Sequence, residues 1–288
     1  MSPDFRFNKI DIVTTRNSLR KFLKFCTGGR PDSFRVDLSI VKNTMFIEQY
    51  NVIDMTQGMG WGHSFEKAFT KYPLGLEGST THDRFLQYPI GDLNCLVGFE
   101  VDACYEENDD ESGLQDGLER LSLDNPGPST ALPKAVGKCS MPPPSSRLPP
   151  GTKIMPQSTA AELKTCKLGK SGITAYLPQL WFGRTSWLIT GSHNQGTFTT
   201  TTITDVSSRL AQWETERQQD LRRLAAFLAA LREAVRKSGK PRCCLMYEKI
   251  PMPEGGIRGG PNVVKLFAVK PTSTEKVVPE EAFSQFWS

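Results

Sequence analysis

The sequence has little that would place it in a membrane, in a disulfide framework or around a zinc ion. No stretch approaches the roughly 20 apolar residues that a membrane-spanning helix needs, and the first ten residues lack the apolar segment of a signal peptide. The seven cysteines are odd in number, and the three histidines are scattered with no CxxC or HxxxH motif. We therefore expect a soluble intracellular protein with no membrane partner, no disulfide framework and no zinc site.

Acidic residues are sparse outside one segment of the chain. The whole sequence has 35 Lys and Arg against 31 Asp and Glu. Eight acidic residues and one basic residue fall within 106–124, so the remainder carries 34 basic and 23 acidic residues. A basic protein body of this kind attracts polyanions, and the attraction weakens as salt is added.

The acidic segment continues into a stretch that has few core-forming residues. Residues 125–151 are rich in Pro, Ser and Gly. Such a composition buries too little apolar surface to offset the chain entropy that is lost on folding. We predict a single domain over 1–288 that is interrupted by a disordered low-complexity insertion at 106–152.

Helical and strand patterns are mixed through the rest of the chain. Hydrophobic residues make up 38% of the 288 residues, which is enough for a sizeable core. The helical period predicts helices at 16–25, 63–70 and 207–237. Alternating or apolar runs predict strands at 33–40, 43–50, 84–88, 95–104, 160–166, 186–191, 196–203, 243–247 and 263–269. The predicted fold class is α+β, with a mixed β-sheet core flanked by helices.

Two of the predicted strands carry closely spaced charges. Glu100 and Asp102 are two residues apart, as are Glu162 and Lys164, so each pair shares one face of its strand. Charges on otherwise apolar strands are costly to bury unless they bind a cation or each other. Carboxylate oxygens favour Mg²⁺ or Mn²⁺. The alternative interpretation is a solvated sheet face on which charges pair across strands.

Several segments taken together resemble a known family. They read GWGHSFE at 60–66, FEVDAC at 99–104, AELKTCK at 161–167 and LPQLWF at 177–182. Their order and content resemble the decapping and exoribonuclease (DXO) family, a branch of the PD-(D/E)XK nuclease superfold. Thr15-Arg16-Asn17, which opens a predicted helix, resembles the Arg motif of the same family. The resemblance covers most of the chain except 106–152 and implies a PD-(D/E)XK nuclease-like domain.

The resemblance implies a metal centre built from carboxylates. Glu66, Asp102 and Glu162 would bind two divalent cations, Mg²⁺ or Mn²⁺. The main-chain carbonyl of Leu163 would assist them, and Glu100 would hold a water bound to the metal.

The resemblance also implies an RNA substrate. Lys164 and Gln179 would contact the scissile phosphate and the attacking water, and Arg16 would contact the RNA backbone. The implied reaction removes incomplete or non-canonical caps such as NAD from 5′ ends by phosphodiester hydrolysis, with 5′ to 3′ digestion after it. Pro178, directly before Gln179, departs from the family pattern, because a proline removes a helix hydrogen bond. A larger 5′–3′ exoribonuclease is an implied partner, and the nucleus rather than the cytoplasm is the expected location.

Two other functions are compatible with the sequence. One is a non-catalytic interaction protein that stabilises a larger 5′–3′ exoribonuclease, and the other is a DNA nuclease of the same superfold. The presence of Glu66, Asp102, Glu162 and Lys164 together argues against the first, because a degenerate scaffold has no need of them. The second can be distinguished from an RNA nuclease by comparing the hydrolysis of matched RNA and DNA 5′ ends.

Overall fold

Two β-sheets and six α-helices make up the part of the chain that the structure describes. This computed structural model describes residues 5–29, 31–49, 61–71, 81–105, 155–170, 172–249, 263–269 and 280–287. The strands are β1 (Ile12–Thr15), β2 (Phe34–Val41), β3 (Thr44–Gln49), β4 (Asp83–Ile90), β5 (Leu93–Glu100), β6 (Ala103–Cys104), β7 (Ala160–Lys167), β8 (Trp187–Asn194), β9 (Thr197–Asp205), β10 (Arg242–Tyr247) and β11 (Val264–Ala268). The helices are α1 (Arg16–Cys26), α2 (Gly62–Phe69), α3 (Ile173–Gly183), α4 (Ser207–Glu216), α5 (Gln218–Lys237) and α6 (Glu280–Trp287).

The strands are divided between a larger and a smaller sheet. The larger has the order β11-β10-β2-β3-β1-β5-β4, and β1 is parallel to both of its neighbours while the other pairs are antiparallel. The smaller has the order β6-β7-β8-β9, with β7 and β8 parallel. The predicted α+β class with mixed strands is confirmed. The strands form two sheets, because the chain crosses from one sheet to the other after β5.

The main core lies between the larger sheet and four helices, α1, α3, α4 and α5. Phe22 of α1 and Leu224 and Leu228 of α5 are fully buried, and they meet Ile12 and Val36 of the sheet. Each such side chain removed from water stabilises the fold by roughly 1.5–3 kcal/mol. This packing fixes α1 against the sheet and therefore fixes the position of the residues at its first turn. Within the described residues, none of the helices combines the length and the apolar character that crossing a bilayer requires.

The prediction of one long helix at 207–237 is wrong in one respect, since the structure has two helices there. Arg217, with φ −106° and ψ 15°, separates α4 from α5. Trp213 of α4 packs against Trp181 of α3 with ring centroids 5.5 Å apart, and α5 buries a stripe of leucines in the same core. The break lets each helix present its own apolar face. The predicted end is confirmed, because Ser238 follows the last turn of α5 and Gly239 has φ 62°.

The predicted strand 95–104 is likewise two strands. β5 ends at Glu100 in the larger sheet, and β6 begins at Ala103 in the smaller one. The Val101 N–H donates to the His82 carbonyl at 2.9 Å, which completes the edge of the larger sheet. Asp102 is therefore the last residue before the chain joins the smaller sheet. Sequence patterns did not predict three elements of the described chain, which are β1, α3 and α6.

The predicted insertion at 106–152 lies outside the described residues, but both of its flanks are described. Ala103 and Cys104 pair with Ala161 and Ala160, and the Tyr105 N–H donates to the Thr159 carbonyl at 2.7 Å. The two flanking segments thus leave the smaller sheet side by side.

Replacement of 106–154 by a short Gly/Ser linker is expected to leave the fold intact. A short linker spans adjacent strand ends, and a shorter loop costs less closure entropy than a long one. We expect a thermal unfolding midpoint within about 3 °C of the full chain, a shift of the order of 1 kcal/mol. A loss of cooperative unfolding measured by circular dichroism would show that the segment belongs to the folded domain.

Candidate active site

The carboxyl ends of β1 and β5 and the middle of β7 meet where the chain crosses between the sheets. Because β1 and β5 are parallel, Thr15 lies beside Gly98, and the start of α1 lies near the end of β5. The Thr15 hydroxyl accepts from the Ser18 N–H at 3.2 Å and caps α1. Arg16, the first residue of this helix, is directed at β7 and has its guanidinium over the Phe99 ring at 5.3 Å.

Glu162 of β7 is the most buried carboxylate of this junction, with 2% of its side chain exposed. Arg16 Nη1 donates to its Oε2 at 2.7 Å. Lys164 Nζ donates to its Oε1 at 2.5 Å, and the Gln179 amide donates to the same oxygen. Burial opposes the charged form of Glu162, but the positive charges of Lys164 and Arg16 outweigh burial and hold its pKa below the ordinary value.

Asp102 lies beside Glu162, and its pKa is shifted in the opposite direction. Burial, reinforced by the negative charge of Glu162, raises the pKa of Asp102 to about 7. Two contacts act in the other direction: the Leu163 N–H donates to Oδ2 at 2.9 Å, and Lys164 Nζ lies 3.9 Å from the same oxygen. Burial and the neighbouring Glu162 therefore outweigh these two contacts in setting the pKa of Asp102.

Glu66 and Glu100 lie on the more exposed side of the same site. Burial raises the pKa of Glu100, and the charges of Asp83 and then Glu66 raise it further. Arg16 acts on the same carboxyl in the opposite direction, and Glu162 also raises its pKa. These influences show that the carboxyl of Glu100 shares one electrostatic environment with Glu66 and Glu162. Glu66 itself has 43% of its side chain exposed and lies 3.7 Å from His63 Nδ1.

The position of Glu66 depends on Phe65, the preceding residue of α2. Phe65 is fully buried among Ala161, Leu163 and Phe198 of the smaller sheet. Gly191 of β8 leaves room for the ring, because a Cβ built at Gly191 would overlap the Phe65 side chain. The helix is thereby held against β7 close to Glu162.

Gly191→Ala is expected to weaken activity through this packing. The added methyl forces Phe65 and α2 to move, which displaces Glu66, and overpacking of this kind costs roughly 1–3 kcal/mol. We expect a lower thermal midpoint and a fall in activity that exceeds the loss of folded protein at the assay temperature. Gly62→Ala is the matched control, because a Cβ built there meets nothing within 4 Å. Equal activities of the two variants would contradict this role of Gly191.

Gln179 reaches the site from α3 although Pro178 precedes it. The helix runs from Ile173 to Gly183 with the proline inside it, so the departure noted in the sequence does not end the helix. Gln179 is buried and points at Glu162. From the same helix, the half-buried Tyr176 has its ring 6.0 Å from Lys164 Nζ. Tyr176 was not among the residues predicted from sequence, and no local motif marks it.

The structure brings some of the side chains predicted for the site into contact and leaves others apart. Those in direct contact are Arg16, Asp102, Glu162, Lys164 and Gln179. The charges of Glu66 and Glu162 both raise the pKa of Glu100. The Leu163 backbone N–H donates to Asp102. The roles assigned to these residues stay predictions.

The donor set fits hard divalent cations in its chemistry. It consists of carboxylates, and the raised pKa of Asp102 shows that an added positive charge would be stabilising. In the present arrangement, no three Asp, Glu, His or Cys side chains of the described residues converge closely enough to hold a metal ion. Both oxygens of Glu162 also already accept hydrogen bonds from cationic and amide donors. Metal binding would require Glu162 to exchange some of these partners.

Comparison with known proteins gives a family and a fold. A family model described as Domain of unknown function (DUF8563) matches residues 1–287. No curated protein sequence matches the chain. Among solved structures, Rai1 of S. pombe in complex with 3′-FADP is similar with a TM-score of 0.56 and 14% identity, over 91% of this chain and 72% of that one. Rai1 of Scheffersomyces stipitis has a TM-score of 0.51 and 13% identity, over 83% and 66%.

A third structure, Dxo1 of K. lactis in complex with manganese, is similar with a TM-score of 0.49 and 10% identity, over 90% of this chain and 68% of that one. Because the two Rai1 chains are only 14% and 13% identical to this one, these matches establish the fold alone. They confirm the predicted fold class, and they confirm at the level of the fold the resemblance predicted from the motifs.

Proposed function

The chain belongs to the family described as Domain of unknown function (DUF8563), and on the arrangement of its acidic site we propose that it is a metal-dependent hydrolase that cleaves RNA at the 5′ end. The observation that carries the proposal is the contact of Glu162 with Lys164, Gln179 and Arg16, with Asp102 beside it. Carboxylates for cations, a lysine and an amide for a phosphate, and a basic body are the components that phosphodiester hydrolysis requires.

We assign each side chain a part in this reaction. Glu66, Asp102 and Glu162 would hold two Mg²⁺ or Mn²⁺ ions, with Glu100 and the Leu163 carbonyl assisting. The bound ions would supply Lewis acid chemistry that polarises the phosphate. Lys164 lies between Glu162 and Asp102, from where its ammonium can donate to a phosphate oxygen. The buried Gln179 amide is held in one orientation by Glu162 and can orient the attacking water.

The substrate we propose is RNA with an incomplete or non-canonical 5′ end, such as an NAD cap. The excess of basic residues outside 106–124 supports a polyanionic substrate. The 3′-FADP in the S. pombe Rai1 structure supports a nucleotide cofactor as the group at the 5′ end. Digestion in the 5′ to 3′ direction after cap removal is part of the same proposal.

The test is mass analysis of products from RNAs that differ only at the 5′ end. The RNAs carry a monophosphate, a triphosphate, an unmethylated cap, a methylated cap or an NAD cap, and each is incubated with the full chain in Mn²⁺, Mg²⁺ or EDTA. We expect release of the cap or of 5′ nucleotides with Mn²⁺ or Mg²⁺ and none in EDTA. Matched DNA 5′ ends should react more slowly.

Three results would overturn the proposal in different ways. Faster cleavage of the DNA ends would show that the protein is a DNA nuclease. Activity that persists in EDTA would exclude the metal-dependent reaction. No activity on any RNA, together with co-purification of a large 5′–3′ exoribonuclease, would show that the protein is a non-catalytic interaction protein.

A further inference from the structure

Arg20 is a half-buried arginine close to the acidic site that none of the predicted roles includes. It lies one helical turn after Arg16 on α1, so the two side chains share one side of the helix and are about 6 Å apart along its axis. Among the described residues, no carboxylate lies within ion-pairing distance of the Arg20 guanidinium, whereas Arg16 is paired with Glu162.

The environment of Arg20 is electrostatically unfavourable without an anion. Burial lowers the pKa of Arg20, the positive charge of Arg16 lowers it further, and only Glu162 acts in the opposite direction. Two arginines at this spacing repel each other on a helix surface. The charge of Glu162 is already shared between Arg16 and Lys164. Arg20 therefore has no carboxylate partner among the described residues, while Arg16 and Lys164 share Glu162.

We propose that Arg20 binds a phosphate of the RNA strand next to the phosphodiester that is cleaved. The inference rests on the proposed function. A phosphate there would neutralise Arg20 and would accept two N–H bonds from its planar guanidinium. Because Arg20 lies further along α1 than Arg16, it contacts the strand beyond the reacting group and contributes to RNA affinity more than to the chemical step.

The matched control is Arg236, an exposed arginine near the end of α5. The chain turns after Arg236 into β10, which begins at Arg242 beside Ser39. That end of the larger sheet is opposite to the end where Thr15 and Gln49 close β1 and β3. Arg236→Gln removes the same charge from the protein at a distance from the site.

The experiment measures the affinity of the full chain for a fluorescent 5′-phosphorylated oligouridylate by anisotropy in EDTA, where no hydrolysis is expected, over a series of salt concentrations. We expect about tenfold weaker binding for Arg20→Gln. The slope of log affinity against log salt should fall by about 0.7 for the lost phosphate contact. Arg20→Lys should keep most of the slope, and Arg236→Gln should bind like the wild type. In Mn²⁺, Arg20→Gln should raise KM more than it lowers kcat.

Binding by Arg20→Gln within twofold of Arg236→Gln, with an unchanged salt slope, would overturn the assignment of Arg20. Failure of the wild type to bind or cleave RNA is a different result, since it overturns the proposed function and the inference with it. Thermal unfolding of each variant shows whether it is folded. If Arg20→Gln melts early, Arg20→Met keeps the apolar stem and takes its place, with the same expected loss of affinity and slope.

Discussion

Glu162→Gln is expected to lower the rate of RNA hydrolysis by about 10³-fold, because several kcal/mol of transition-state stabilisation depend on the metal that this carboxylate would hold. The substitution keeps the size and shape of the side chain while removing its charge. Arg16 and Lys164 then lose their common partner, and breaking a buried ion pair costs roughly 3–5 kcal/mol of folding free energy. We therefore expect a lower thermal midpoint together with the loss of activity.

The measurement separates these two effects by adding Mn²⁺. At a temperature where circular dichroism shows Glu162→Gln to be folded, Mn²⁺ should raise the thermal midpoint of the wild type but not that of the variant. The matched control is Glu216→Gln, which alters an exposed carboxylate on α4 that bonds only to Gln212 among the described residues. It should keep both activity and the response to Mn²⁺. Retained hydrolysis in folded Glu162→Gln would show that the reaction does not depend on this site.

Asp102→Asn is expected to have the opposite effect on stability while also abolishing activity. The wild-type carboxylate is buried beside Glu162, and an asparagine removes the repulsion while its amide oxygen can still accept from the Leu163 N–H. We expect the metal-free variant to be more stable than the wild type at pH 8 by on the order of 2 kcal/mol. A substitution that stabilises the fold and removes function is typical of residues that are placed for function at a cost in stability.

The stabilisation by Asp102→Asn should depend on pH in a defined direction. The pKa of Asp102 is raised from an ordinary value near 3.8 to about 7 in the folded protein. Below pH 4 both the folded and the unfolded wild type carry the proton, so the carboxyl causes no penalty. Between pH 4 and 7 the unfolded state releases the proton first and the wild type loses stability. The advantage of the variant should therefore grow over this window and level off above it.

Chemical denaturation at pH 4, 5.5, 7 and 8 measures this dependence. Asp92→Asn, in the exposed turn between β4 and β5, is the matched control and should show no such trend. Saturating Mn²⁺ should reverse the order at pH 8, because the cation offsets the charge of Asp102 in the wild type alone. A variant that is less stable than the wild type at every pH would contradict this interpretation of the site.

Local sequence patterns predicted most of the elements of the fold, whereas Arg16 and Gln179 were predicted as site residues only through the family resemblance. The alternation of apolar and charged residues placed Glu100 and Glu162 on strands, and the structure has them on β5 and β7. Asp102, which the same pattern placed on a strand, lies between β5 and β6. The hairpin of β2 and β3 and the helix that opens at Arg16 are also local, since each depends on a turn or a cap within a few residues. Such features can be predicted because neighbours in the chain determine them.

The break at Arg217 and the division of the strands between two sheets could not be predicted in this way. Residues 207–237 have a helical pattern throughout, and the break at Arg217 is visible only in the structure. The segment 95–104 has the pattern of one strand, and only the positions of the neighbouring strands assign β5 and β6 to different sheets.

The sequence by itself determined which side chains are charged, how they alternate along their strands, and that the body of the protein is basic. Only the tertiary structure decided that Arg16 meets Glu162 across 146 positions of chain, that Gln179 reaches the same carboxylate despite Pro178, and that Arg20 is left without an acidic partner among the described residues. The physical reason is that periodicity records which face of an element is apolar. It carries no information about which distant element covers that face, and the charge balance of the site depends on those distant contacts.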